Sequence, residues 1–385
     1  MKREYKHILF SAPLMLSIAL IFSGCAAKTI PSEEKHDSFT SVFSNITDTA
    51  YYFCSLDNQT TVLDYETMKT LPLCNRPNCK HDKNDCISHR LKGNIPLISG
   101  TSLYYFIDTG NYMTQGDDGK PYLELGSTLY RFDLMTNQEE KLYHIDGVSV
   151  SHQISYGSLL HDGTIYFIGN HFNPEYDETG MICGYGSSGG RMELFALNLS
   201  DLTIQSYGDL YHIDTLSKIY PYASHSGEVY MKGLFENKIY FEVCFVPDDN
   251  IHTNYVRYVT WFDLDTKTYH GEPQDYSNID FCNADFVSKD YLVLTREKQA
   301  DVYKAGQAEP IILKDDCFQL PCYLSVFDDT LYYDGRVFDL KTGESRTLED
   351  IFHKQVIAKY GDSYIVSDIG MKDNFEKIPA EQLLK

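Results

Sequence analysis

From about residue 40 onward the chain is written in short runs of alternating apolar and polar residues. Each run is bounded by Asp, Asn or Gly. That period of two, broken every few residues by turn formers, predicts strands and tight reversals. Helical periodicity is nearly absent: LEDIFHKQ (348–355) has room for two turns at most. One recurring unit is a turn followed by an aromatic strand. It occurs as TAYYF (49–53), TSLYYF (101–106), DGTIYFIG (162–169), NKIYFEV (237–243), KDYLVLT (289–295), DDTLYY (328–333) and GDSYIV (361–366). A second unit follows it, a strand that runs into Phe-Asp-Leu-x-Thr. It is clear at LYRFDLMT (129–136), TWFDLDT (260–266) and RVFDLKTG (336–343), and weaker at TVLDYET (61–67) and LFALNLS (194–200). An Asp or Asn side chain there can accept bonds from nearby backbone and reverse the chain. A short strand such as KTLPL or EKLYHI closes the unit.

Strand, turn, aromatic strand, turn, Asp-bearing strand, turn and short strand make a four-stranded meander. One meander cannot bury both of its faces, and stacking the units in a ring does so. The expectation is an all-β chain forming a β-propeller of seven four-stranded blades in a single ring over 41–385. Two β-sandwiches in tandem compete, but no linker divides the repeat. Segment 285–314 lacks a clean Phe-Asp-Leu strand, so six and eight blades are the alternatives to seven. The last unit shows three strands, and SVFSNI (41–46) is expected to seal the ring beside 355–380.

Strand order also assigns loops to faces. With strands A to D counted outward, the B–C connections and the D–A links between blades share one face. The long segments 107–127, 170–192 and 245–257 are all B–C connections of consecutive units. Loops of that length in a compact domain are commonly functional.

The first residues, MKREYKHILFSAPLMLSIALIFSGC, place Lys2, Arg3 and Lys6 before an uncharged apolar stretch from Ile8 to Phe22. A basic head, an apolar body too short for a span and small Ser23-Gly24 form an export leader. Ser23-Gly24-Cys25, with Phe22 where Leu is commoner, resembles the lipobox of bacterial lipoproteins. The resemblance implies cleavage of 1–24 and acylation of Cys25 with palmitate-type chains, which anchors the chain in the cell membrane on its extracytoplasmic face. An ordinary leader with an unrelated cysteine is the other reading. Residues 25–40 are polar and aperiodic, as a flexible tether is.

Composition narrows the partners. The full chain carries −22, and the form without its leader −24. An acidic surface repels phosphate backbones, so nucleic acid is not an expected partner.

The chemistry-bearing motif is LPLCNRPNCKHDKNDC (71–86), within the Cys/His-rich loop 74–89 between units one and two. Cys74, Cys79, His81 and Cys86 offer three thiolates and an imidazole, the preferred ligands of tetrahedral zinc. Closed ligation of that kind is structural rather than catalytic. Pro77-Asn78 predicts a bend that returns the chain on itself. The same residues also admit a disulfide, which suits an exported protein, or free thiols. Cys317 and Cys322 flank FQLP and are a second candidate disulfide. Cys54 and Cys244 sit in aromatic strands and read as core.

The lipobox, the repeat and this cluster together resemble the propeller domains of bacterial cell-surface lipoproteins, and the resemblance implies no catalytic activity. The expectation is a non-catalytic binder of a protein or glycan through its loop face. The alternative is a carbohydrate-active enzyme using carboxylates on the same face, which needs two of them to converge. No H-E-x-x-H, G-x-S-x-G or phosphate-loop pattern is present; GYGSSGG (184–190) reads as flexible loop. Asp117-Asp118, Glu175 with Asp177-Glu178, and Asp248-Asp249 are calcium ligands only if they meet in space. Catalytic residues are therefore not assigned.

Overall fold

The computed structural model describes residues 40–384 apart from 42–43, 56–58, 84, 92–95, 109–112, 116–120, 124–125, 151–156, 177–181, 212–215, 217, 221–226, 248–255, 271–282, 320–323, 349–352 and 369–373. The leader, Cys25 and nearly all of the tether lie outside the described residues.

Seven antiparallel sheets of three to five strands follow one another in chain order and form a seven-bladed β-propeller. Each sheet is built from one contiguous stretch. Blade 4 shows the pattern: Gly227–Phe235, Lys238–Phe245, Val256–Asp263 and Thr268–His270 pair in sequence as strands A to D. Blade 5 completes four strands although it lacks the Phe-Asp-Leu motif; Gln299–Lys304 serves as its strand C.

The repeated Asp plays the same part in each copy. Asp133 Oδ1 accepts from the amides of Met135 and Thr136 at 2.8 Å, Asp263 Oδ1 from those of Asp265 and Thr266 at 2.9 Å, and Asp339 Oδ1 from those of Lys341 and Thr342 at 2.7 and 3.0 Å. These bonds hold all three carboxyls below the usual carboxylate range. The residue four places after the Asp then turns left-handed: φ is 56° at Asn137, 58° at Lys267 and 74° at Gly343. In blades 1 and 3 Met68 and Leu202 do the same.

Apolar clusters fill the gaps between neighbouring blades. Leu103 and Phe132 of blade 2 pack with Tyr52 and Leu73 of blade 1. The largest cluster joins blades 3 and 4 around Leu194, Phe241 and Phe262.

Three features differ from the sequence reading. Among the described residues the ring is not sealed by strand exchange. Ser44–Ile46 pairs with Ala50–Cys54 of its own blade, and blade 7 holds Lys354–Tyr360, Ser363–Asp368 and Phe375–Pro379. Side chains close the seam instead, with Phe53, Leu63 and Tyr65 against Ile357, Ala358 and Ile365. Second, 170–192 is not a loose loop. Thr164–Tyr176 and Ile182–Asn198 form one long hairpin, with Tyr176 in register with Ile182, and GYGSSGG belongs to its second strand. Within 107–127, Met113–Gln115 and Pro121–Leu123 also pair. Third, Thr40 is strand rather than tether: Thr40–Ser41 pairs with Ser44–Asn45 on the inner edge of blade 1, alongside strand A of blade 4.

Candidate functional site

The Cys/His segment leaves strand D of blade 1 at Pro72 and rejoins the ring at Leu97. Its path follows from its residues. The amide of Cys79 donates to the Arg76 carbonyl at 3.3 Å, with Pro77 and Asn78 at the turn's centre and φ 59° at Asn78. Pro followed by a left-handed Asn is type II turn chemistry. His81 is also left-handed, at φ 57°, which redirects the chain toward Cys86. Cys86 then leads into the short helix Ile87–Arg90, whose Ile87, with Leu91, is buried between blades 1 and 2.

Cys74, Cys79, His81 and Cys86 each present one ligating atom, and these four atoms all lie within 4.8 Å of one another. His81 Nδ1 is 3.3 Å from Cys86 Sγ. All three cysteines are free thiols, so the disulfide expected as an alternative for this cluster is not formed. Cys74 and Cys86 are buried, while Cys79 and His81 are half-buried. Burial works against a thiolate at Cys74, but the Arg76 amide and guanidinium, with the neighbouring thiols, outweigh it and hold Cys74 below the ordinary thiol range. Burial and the adjacent thiols push Cys86 up to about 11. Three sulfurs and one imidazole facing a common centre are a donor set and geometry that fit a tetrahedral soft-ligand metal.

The cluster ties two blades together. Gln59 Nε2, from the B–C connection of blade 1, donates to the His81 carbonyl at 3.2 Å, and Ser88 Oγ donates to the Thr60 carbonyl at 2.8 Å. On the other side Asn75 Nδ2 reaches the Leu134 carbonyl at 3.1 Å, and Arg90 binds the Tyr105 hydroxyl at 2.9 Å and the Glu139 carboxylate at 3.0 Å. The segment is therefore wedged between blades, touching the B–C side of blade 1 and the C–D turn of blade 2.

Other expected residues fall as follows. Cys25 and Cys322 lie outside the described residues; Cys317 carries a free thiol, which burial and Asp315 push up to about 12. Cys54 and Cys244 are buried, as the core reading has them. Asp117-Asp118, Asp177-Glu178 and Asp248-Asp249 are outside the described residues.

Sequence reasoning passed over a set of buried charges in blades 3 to 5. Glu193, 4 % exposed, accepts from Ser206 Oγ at 3.0 Å and faces His171 Nε2 at 3.1 Å. Glu242, 2 % exposed, accepts from the Ala284 amide of blade 5 at 3.1 Å, with Arg257 Nη1 at 3.3 Å and Lys232 Nζ at 3.6 Å. The available signal was a single charge inside an otherwise apolar strand, in FEVCFV and MELFALN.

No family model and no curated protein matches the chain. Among solved structures it is similar to an oligogalacturonate lyase in complex with manganese, at 11 % identity and TM-score 0.40, over 87 % of this chain and 86 % of that one. It is also similar to the β-propeller domain of the Trilobed protease from Pyrococcus furiosus, at 8 % identity and TM-score 0.35, over 90 % and 96 %. A third is the Pseudomonas aeruginosa periplasmic gluconolactonase, at 14 % identity and TM-score 0.32, over 88 % and 90 %. The seven blades stand on the pairing of this chain's own strands, and none of these likenesses bears on the chemistry of its sites.

Proposed function

We propose that the chain is an extracytoplasmic lipoprotein, anchored to the membrane through Cys25, whose propeller binds a protein or glycan partner on its B–C face without catalysing a reaction. In this reading Cys74, Cys79, His81 and Cys86 hold a structural zinc ion that fixes the segment between blades 1 and 2. The observation that supports it is the convergence of four soft ligands, all supplied by the protein. Such a set leaves no open position for a substrate and suits a structural role. Rigid blades behind the loops lower the ordering cost of binding.

Two measurements test the reading. Elemental analysis of the purified mature protein is expected to give one zinc per chain, and a metal-free protein with blocked thiols removes the zinc assignment. Cys25→Ala is expected to release the protein from the membrane fraction and to block leader processing; unchanged membrane association rejects the anchor.

A further inference from the structure

The residues that fit a soft-ligand metal also gather the chain's thiols. Cys74, Cys79 and Cys86 are free, and their sulfurs and a His81 nitrogen all lie within 4.8 Å of one another. The other described cysteines are scattered: Cys54 on strand B of blade 1, Cys244 on strand B of blade 4, and Cys317 in the short helical turn Asp316–Gln319 between blades 5 and 6. A disulfide needs sulfurs about 2.05 Å apart, on cysteines whose Cα atoms lie within about 7 Å. A sulfur joined to another sulfur is no longer a thiolate ligand. Ligation and disulfide formation in this cluster therefore compete for the same atoms.

The three thiols are unequal. Cys86 is fully buried and opens the helix Ile87–Arg90, where its carbonyl accepts from the Arg90 amide at 2.8 Å. Cys74 is buried in the same apolar cluster between blades 1 and 2. Cys79 is half-buried, on the outer turn that its own amide closes to the Arg76 carbonyl. A dissolved oxidant therefore meets Cys79 first. The same turn brings the chain back toward Cys74, five residues earlier. Cys74 is thus the partner that Cys79 reaches without disturbing the helix.

The backbone of the segment is held under strain. Asn78 and His81, neither a glycine, hold φ at 59° and 57°. Such conformations persist where the surroundings over-determine them. His81 is held by its place in the ligand set, with Nδ1 3.3 Å from Cys86 Sγ, and by the bond its carbonyl accepts from Gln59 Nε2. Loss of ligation frees His81 to relax and loosens the Gln59 bond with it. That bond ties the cluster to the B–C connection of blade 1.

We infer that the segment is a redox switch: a low-molecular-weight disulfide converts the reduced, metal-holding set into a Cys74–Cys79 disulfide, which releases the metal and the blade 1 connection. The inference rests on the reading of the four residues as a zinc site in an exported chain, where thiols meet disulfides, and it adds the regulation of that site.

The Cys79 thiolate attacks one sulfur of R–S–S–R, forming Cys79–S–S–R and expelling R–S⁻. The Cys74 thiolate then attacks the Cys79 sulfur, forming Cys74–S–S–Cys79 and expelling the second R–S⁻. The two protein sulfurs lose two electrons and the reagent gains them. Both R–S⁻ groups and the Cys86 sulfur take protons from solvent. Cys86 and His81 alone remain as ligands, two short of a tetrahedral set.

Mature protein is purified with dithiothreitol, loaded with zinc and freed of reductant. It is then treated with oxidised glutathione. Released zinc is read with a chromogenic chelator, and disulfides are mapped by alkylation and peptide mass spectrometry. The expected result is one zinc lost per chain together with two thiols, and a Cys74–Cys79 linkage. Hydrogen exchange should quicken in the peptides carrying His81 and Gln59, and dithiothreitol with zinc should restore the starting state. In Cys79→His, which keeps four ligands, release is expected to slow tenfold or more. Cys317→Ser, which removes the other half-buried free thiol, leaves the rate unchanged. Zinc lost with no linkage between Cys74 and Cys79, or an equal rate in Cys79→His, overturns the switch. Where Cys79→His takes up no zinc, the linkage mapped in the unsubstituted chain decides. If reduced protein takes up one zinc and keeps it in oxidised glutathione, the switch falls and the structural zinc stands. Reduced protein that takes up no zinc removes both.

Discussion

Lys377 Nζ of the last blade donates to the backbone carbonyl of Tyr65 in the first, at 3.1 Å. This bond crosses the seam of the ring, where no strand is exchanged among the described residues. Around it Phe375 packs edge-on against Phe53, with ring centres 5.0 Å apart. Closure therefore rests on side chains.

Phe53, 2 % exposed, is expected to dominate the seam. Phe53→Ala should cost about 3–5 kcal/mol, the usual range for emptying a buried aromatic site. Lys377→Met should cost about 1 kcal/mol, the net worth of one hydrogen bond. Denaturant unfolding monitored by far-ultraviolet dichroism measures both, and a Phe53→Ala cost under 1 kcal/mol contradicts a side-chain seam.

Removal of metal should act at one place. At a free zinc concentration a hundredfold above Kd, binding to the folded state alone contributes about 2.7 kcal/mol. A chelator is expected to lower the thermal midpoint accordingly and to increase hydrogen exchange in 74–91. Cys86→Ser should abolish the metal response; a chelator effect that persists in that variant contradicts ligation by Cys86.

Acid should loosen the contact between blades 5 and 6. Asp329 accepts from the Tyr291 hydroxyl at 2.6 Å and from Lys304, with Lys341 at 3.3 Å. The Lys304 and Tyr291 contacts hold its carboxyl down to about 2. A depressed carboxylate contributes its full stabilisation above the unfolded value near 3.9 and loses it as pH falls through the folded value. The window is thus roughly pH 4 to 2. Asp329→Asn should flatten the stability profile in that window and cost about 1–2 kcal/mol at neutral pH. A profile unchanged by the substitution rejects the linkage.

The Asp turns allow a gain in stability. Lys267 holds φ at 58° where blade 6 has Gly343. A left-handed non-glycine residue costs about 1–2 kcal/mol, partly offset by the greater unfolded freedom of glycine. Lys267→Gly is expected to stabilise by roughly 0.5 kcal/mol, read from the urea midpoint. A lower midpoint shows that Lys267 contributes more through its side chain than its backbone costs.

Blade number was legible because Asp133, Asp263 and Asp339 act locally. Each closes its own turn, so its signal survives in a single sequence. The bend at Pro77-Asn78 was readable for the same reason. The seam was not. SVFSNI pairs equally well with either neighbour by propensity, and its choice of Ala50–Cys54 reflects the short reach of a hairpin. The hairpin through GYGSSGG was missed because small residues carry no alternation even when their backbone is fully laddered. Glu242 was hidden by its apolar neighbours: strand character was evident, but the face it turns toward blade 5 is decided by packing.

Without strand exchange, every described backbone ladder is confined to one contiguous stretch of chain. The present ends can thus be joined by a linker from Leu384 to Thr40, and new ends opened at Gly147 or between blades 5 and 6, without breaking a described ladder pair. Such circular permutants keep all seven sheets whole. The order in which the blades are read along the chain is then a matter of history, and the ring itself is indifferent to where it begins.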